Sequence, residues 1–335
     1  MKKGHWNLIT DVPNVHVGHV TLYEKINEED TICTGVTAIL PHDGNLFEQK
    51  VPAASFVLNG FGKTVGLVQV EELGVVESPI MLTNTFSVAA VLEGTLDYML
   101  EQNPSIGDST SSLNIIIGEC NDSHLNSMRL RAVKPQHAIS AIHNAKQAPF
   151  KQGAVGAGKG MICYEQKGGI GSSSRIAERD GERFTVGVLS LTNFGNAGEC
   201  RFANWQQDSP IEKPDGSVII VVATDALVSD RQLKRLAKRA AIGLGRTGTH
   251  IHNGSGDIII AFSTAYTIPH QSASSIGEPV AFVRDDSKLM NDLFQATIEA
   301  TEESIYQSLL HAETTVGRKN RVVKKAEFDK KKIGS

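Results

Sequence analysis

The chain has 335 residues, 40% hydrophobic and 21% charged, enough for one large or two ordinary globular domains. A formal net charge of −4 gives no general attraction to nucleic acid, and no run approaches the ~20 apolar residues that a membrane span requires. Cys33, Cys120, Cys163 and Cys200 are too dispersed for a zinc ribbon or a CxxC redox pair, so reduced thiols in a cytoplasmic protein are expected. Met1-Lys2-Lys3 leads into Gly, His, Trp and Asn rather than into a hydrophobic signal region, which fits the same expectation.

In chain order, β-rich runs predict strands at 31–40, 53–59, 113–118, 161–165, 183–193, 217–225 and 257–264, interleaved with helical segments. Leu113 to Ile117 and Val218 to Val222 are apolar without alternation, which implies strands covered on both faces and hence a layered α/β sandwich. The loop at 194–216, rich in Asn, Gln, Asp and Pro, reads as the most exposed interior segment. Ser229-x-x-Gln232 is a capping-box pattern, and the helix it opens puts Leu233, Leu236, Ala237, Ala240 and Leu244 on one face. A second long helix is expected from about 286 to 311, with Leu289, Met290, Leu293, Phe294, Ile298 and Ile305 spaced for packing. Residues 318–335 hold eight Lys/Arg against two acids with no apolar periodicity, the pattern of a basic, solvated and disordered tail.

Several motifs fail on inspection. Gly153 to Lys159 has the GxxxxGK spacing of a phosphate loop, but Gly160 stands where a Mg²⁺-binding hydroxyl belongs, and Gly62-Lys63-Thr64 has the hydroxyl but Val57 in place of the first glycine. His250 and His252 share one face of an extended segment without a third ligand at local spacing, so ordinary polar packing is the simpler reading. G-x-S-x-G is absent.

Asp215-Gly216-Ser217, running directly into the apolar strand from Val218, remains. Taken alone, Asp-Gly is a common turn and the serine after it an ordinary turn residue. A serine hydroxyl is a poor nucleophile until a base takes its proton. A serine that becomes a chain N-terminus acquires that base, an α-amine of reference pKa roughly 7.7–8. Gly216, without a Cβ, leaves room for the strained backbone needed if Ser217 is to attack the preceding carbonyl.

DGSVIIVVATDA, QLKRLAKRAAIGLGRTG and NGSGDIIIAFST resemble the L-aminopeptidase/D-esterase and β-aminopeptidase family of self-processing N-terminal-serine hydrolases. ITDVPNVHVGHVTL, LNGFGKTVGLVQVEELGVVESPIMLTNTFSV, GECND, GKGMICYEQKGGIGSSSR and VGVLSLTNFG extend the resemblance over nearly the whole chain except its C-terminal tail. It implies a four-layer αββα sandwich of the self-processing N-terminal-nucleophile type. Residues 1–317 would form a single catalytic domain, cut between Gly216 and Ser217 into an α-chain, 1–216, and a β-chain, 217–335.

The resemblance also assigns roles. Ser255 and Asp257, two apart and so on one face of a strand, would flank the nucleophile as a hydrogen-bonded chain, although family members often carry glutamate at the acidic position. Asn193 would supply the oxyanion donor and Glu119 of GECND would anchor the substrate ammonium; the aromatic residues that follow this motif in the family are replaced by Ser123 and His124. The expected activity is release of N-terminal residues from small peptides, amides or esters through an acyl-enzyme on Ser217, without metal or cofactor, in a homotetramer of cleaved α/β pairs with no nucleic-acid or membrane partner. A self-processing acyltransferase of ornithine-acetyltransferase type and a non-catalytic binding protein of the same fold are the alternatives; serine at 217 argues against the former, which uses threonine.

Overall fold

The computed structural model describes residues 1–203, 216–272, 274, 276–277 and 279–328. Nine main strands are β1 (His16–Lys25), β2 (Thr31–Leu40), β3 (Gln49–Gly60), β4 (Ile80–Asn84), β5 (Ile116–Cys120), β6 (Ile170–Arg179), β7 (Glu182–Asn193), β8 (Ser217–Thr224) and β9 (Gly256–Ser263). The helices are α1 (Leu67–Leu73), α2 (Val88–Gln102), α3 (Pro135–His143), α4 (Asp230–Arg246) and α5 (Lys288–Leu310).

The strands form two facing sheets. The smaller has the order β1-β2-β4-β5, with only β4 and β5 parallel. The larger runs β3-β9-β8-β7-β6, extended beyond β3 by Ile268–Pro269, and within this run only β8 and β9 are parallel. Alternation along β8 explains the layering: Ile219, Val221 and Ala223 enter a core between the sheets, with Ile39, Ile80 and Ile116 from the smaller one. Val218, Ile220 and Val222 face a second core under α4 and α5, and a third lies between the small sheet and α2 and α3. The order is therefore α2/α3, small sheet, large sheet, α4/α5: the expected four-layer αββα sandwich.

Local chemistry sets the element ends. Ser229 and Gln232 complete the capping box, with Ser229 Oγ accepting from Gln232 N at 3.3 Å and Gln232 Oε1 from Ser229 N at 3.0 Å. The five apolar residues expected on the inner face of α4 are all buried. On α5, Leu289, Met290, Leu293 and Ile305 are buried as expected, and small hydroxyl residues add to the contact with the sheet: Ser304 and Ser308 bond Ser190 and Thr192 at 2.6 and 2.8 Å. Helix and sheet thus approach closely, and the Ser304 and Ser308 hydroxyls bond both across the layers and to Thr301 O and Ile305 O of their own helix.

Four expectations change. The strand expected at 113–118 begins only at Ile116, because Asn114 N donates to the Glu77 carboxylate (2.7 Å) and its side chain to Gly66 O (2.9 Å) rather than to the sheet. The segment 161–165 becomes half of a tight hairpin, Ile162–Cys163 with Gln166–Lys167, closed by Tyr164 and Glu165 at φ 50° and 61°. The tail is docked over its described part. Val322–Val323 pairs with Thr315–Val316, Val323 is buried, and Phe328 packs on Tyr306; residues 329–335 lie outside the described residues.

The loop after β7 also differs from its expected exposure, since Phe194, Ala197 and Cys200 are buried, while 204–215 lie outside the described residues. All four cysteines are free and buried. Among the described residues no helix is long and apolar enough to cross a membrane.

Candidate active site

Ser217 is the first residue of β8 and 5% exposed, so its hydroxyl begins where the apolar strand begins. Its Oγ donates to the carbonyl oxygen of Gly216 at 2.8 Å and accepts from Gly256 N at 3.3 Å. The hydroxyl therefore rests on the peptide group that self-cleavage would break. In the ladder Ser217 stands opposite Asn193 of β7 on one side and Gly256 of β9 on the other. Asn193 is buried; its Oδ1 accepts from Ile162 N (3.0 Å) and its Nδ2 donates to Asn121 O (2.9 Å). One of the two Nδ2 protons is thus committed, leaving a second.

Ser255 and Asp257 meet as their spacing predicts, Ser255 Oγ donating to Asp257 Oδ1 at 2.8 Å. Both are buried, and Asp257 Oδ2 has no hydrogen-bond partner among the described residues. Burial pushes the Asp257 pKa up to about 6, against the opposing pull of the Ser255 hydrogen bond and the His252 ring. By alternation, Asp257 shares the helix-side face of Ile259 and Ala261, whereas Ser217 shares the inter-sheet face of Ile219. The two side chains therefore leave the sheet on the face opposite that of Ser217, on either side of Gly256, whose N–H donates to the Ser217 hydroxyl.

Glu119, 3% exposed near the end of β5, makes no hydrogen bond to Ser217. It joins the site through the loop 61–64: Lys63 N donates to its Oε1 at 2.8 Å, and a Cβ on Gly256 would lie 2.8 Å from Phe61 O. Its Oε2 takes the Thr85 hydroxyl. Both carboxylate oxygens are thereby fixed in direction, each keeping lone pairs for a further donor. A cleft of about 420 Å³ opens beside this wall, lined by Phe86, Asn121, Ser123, Met128 and Leu130. His252, set aside as a metal ligand, binds Glu199 at 2.7 Å.

The sequence model of Peptidase family S58 matches residues 7–323. The chain belongs to peptidase family S58. A beta-peptidyl aminopeptidase from Sphingosinicella microcystinivorans is 37% identical, the alignment covering 94% of this chain and 84% of that protein. The crystal structure of the PH0078 protein from Pyrococcus horikoshii superposes with a TM-score of 0.89 at 48% identity, over 97% of this chain and 92% of that one. An l-aminopeptidase d-ala-esterase/amidase from Ochrobactrum anthropi, described as a variant of the Ntn hydrolase fold, gives 0.90 at 32% identity over the same shares. This S58 chain is thus a hydrolase of the serine aminopeptidase class on an Ntn-hydrolase fold.

Several residues that shape the site of this S58 peptidase carried no assignable role in the sequence. Tyr164 N donates to Phe194 O at 2.7 Å, and its buried hydroxyl meets Thr247 Oγ1 and accepts from Thr249 N (3.1 Å), tying the loop after α4 to the end of β7. Thr85 and Lys63 orient Glu119 from segments remote in the chain. Lys167, which follows Glu165 and Gln166 in CYEQKGGIG, carries no signal of its burial in the sequence. Buried as it is in the fold, its ammonium needs partners, and only the tertiary structure supplies them.

Proposed function

We propose that this peptidase cuts its own chain between Gly216 and Ser217 and then releases N-terminal residues from small peptides, amides or esters through an acyl-enzyme on Ser217. In the first stage Ser217 Oγ attacks the Gly216 carbonyl carbon. The Gly216–Ser217 amide becomes an ester on Oγ, its nitrogen takes up a proton, and water hydrolyses the ester to leave a carboxylate on Gly216 and an α-amine on Ser217. The observation that carries this reading is the Ser217 Oγ placed 2.8 Å from the Gly216 carbonyl oxygen at the mouth of β8.

In the second stage the new α-amine takes the hydroxyl proton as Oγ attacks the substrate carbonyl. The free Nδ2 proton of Asn193 meets the developing oxyanion, Glu119 holds the substrate ammonium, and the leaving amine or alcohol departs with the proton before water deacylates the enzyme. Ser255, donating to Asp257 and accepting from the α-amine, links that amine to the carboxylate. The adjacency of the pair in the chain to Gly256, which stands opposite Ser217 in the ladder, supports this. Esterase action on D-configured substrates, a homotetramer of cleaved pairs and a cytoplasmic location complete the proposal, the last supported by four buried free thiols.

Intact mass under denaturing conditions, with N-terminal sequencing of any fragment, tests it. Two chains, the smaller beginning Ser-Val-Ile-Ile, are expected; Ser217→Ala should give one uncut chain without turnover. Full activity in that variant would overturn the assignment.

A further inference from the structure

Lys167 is completely buried in the hairpin that follows the Gly156–Gly158 turn. Its Nζ donates to three backbone carbonyls, Met161 at 2.7 Å, Gly168 at 2.8 Å and Gly158 at 3.1 Å. Three acceptors match the three N–H bonds of an ammonium, whereas a neutral amine would turn a lone pair toward a carbonyl. Burial opposes the charge and lowers its pKa to about 7, with Lys159 acting in the same direction and Asp122 against it. A methionine of similar length would fill this volume without that cost, so packing alone does not account for the lysine.

The informative contact is the one to Met161. That carbonyl and the Ile162 N–H belong to one planar, resonance-coupled peptide group, and Ile162 N is the donor that holds Asn193 Oδ1 at 3.0 Å. The Asn193 side-chain amide is conjugated in the same way. A cation on the Met161 oxygen draws electron density from Ile162 N–H, which becomes the stronger donor; loading Asn193 Oδ1 then polarises Asn193 Nδ2–H in turn. The chain runs without a gap from Lys167 Nζ through one peptide and one side-chain amide to the residue opposite Ser217. The hairpin itself is clamped from outside, Lys167 N donating to Lys324 O of the docked tail at 2.7 Å.

We propose that Lys167 is a positioning residue for the oxyanion site, fixing and polarising the Met161–Ile162 peptide so that Asn193 is oriented and its free N–H strengthened as a donor. This rests on the reading of Asn193 as the oxyanion donor. Lys167 touches no substrate and transfers no proton; it acts only on the stability of the tetrahedral oxygen.

A double-mutant cycle tests it, with turnover of a p-nitroanilide of an N-terminal amino acid normalised to the amount of cleaved chain. Asn193→Ala is expected to lower kcat by about 10²-fold. Lys167→Met should lower kcat about 10-fold with KM changed less than about 2-fold, and the double variant should match Asn193→Ala alone within about 2-fold, because both act through one donor. Lys167→Gln, which keeps the bulk and two donors and so favours folding, should lower kcat in the same direction by a smaller factor. Losses that multiply in the double variant, a change confined to KM, or unchanged kcat in a folded Lys167 variant would overturn the inference while leaving Asn193 in place. An Asn193→Ala enzyme with near-normal kcat would instead remove the oxyanion assignment itself.

Discussion

A Cβ added to Gly216 would lie 2.3 Å from the carbonyl oxygen of Asn193 and 2.5 Å from the Phe194 Cα, so the residue before the nucleophile touches the main chain of the residue across the ladder. Both obstructing atoms are backbone, and no rotamer change relieves them. Gly216→Ala should therefore push the scissile carbonyl away from Ser217 Oγ. Since misplacing a reacting atom by about 1 Å can cost 10²-fold, self-cleavage is expected to slow by about that factor while the fold persists. A time course of intact mass after refolding measures it.

Glu119→Gln keeps the shape of the proposed amine anchor and removes its charge. The Lys63 N–H can only donate, so the new amide must turn its oxygen there and its NH₂ toward Thr85, whose hydroxyl can accept. The fold should tolerate this. A charge-assisted hydrogen bond contributes about 1.5–3 kcal/mol, so KM for amine-bearing substrates should rise roughly 10- to 100-fold. Comparison with an ester lacking the amine, whose KM should stay near the parent value, separates anchoring from general damage.

Asp257 links pH to stability in the uncut chain. Its pKa rises from 3.8 unfolded to about 6 in the fold, chiefly through burial. Between those values the native state holds a proton that the unfolded chain has lost, so stability is greatest below about pH 4 and falls as pH climbs to about 6. At 1.36 kcal/mol per unit the loss is on the order of 3 kcal/mol. In a Ser217→Ala background, Asp257→Asn should raise the unfolding midpoint at pH 8 and leave it little changed at pH 4; denaturant titrations at the two pH values give the comparison. An equal effect at both would show that the carboxylate charge is not what the fold resists.

Gly118 sets how closely the sheets approach beneath the site. A Cβ there would lie 2.9 Å from Ile219 Cγ2 and 3.1 Å from Leu82 Cδ2; Gly118 precedes Glu119 by one residue, and Ile219 follows Ser217 by two. Gly118→Ala overpacks this contact, at a cost of about 1–3 kcal/mol. Thermal unfolding should show the loss of stability, and KM should rise with it as Glu119 shifts relative to Ser217.

The residues along the chain already dictated much of this. The unbroken apolar run from Val218 to Val222 required cover on both faces, because nothing in it could face water. Ser229 and Gln232 marked the start of α4 through their own side-chain hydrogen bonds, and the two-residue spacing of Ser255 and Asp257 put them on one side of a strand. Such features are local and need no partner from elsewhere. The strands at 16–25, 80–84 and 170–179 were not legible; the last, rich in serine, is buried because the fold brings an acceptor to each serine hydroxyl: Val188 O for Ser172 at 2.7 Å, Ala300 O of α5 for Ser173 at 2.8 Å and the Asp11 carboxylate for Ser174 at 2.6 Å.

Tertiary structure decided how the groups assigned around Ser217 are held. Asn193 stands opposite it through the β7–β8 register, Glu119 is aimed by Lys63 and Thr85 from separate segments, and the Lys167 ammonium reaches Asn193 through a peptide five residues back along the chain. A strand can be read from its own period, because the period is a property of the backbone. A hydrogen-bonded site cannot, because each donor is defined by an acceptor that only the folded chain brings within 3 Å.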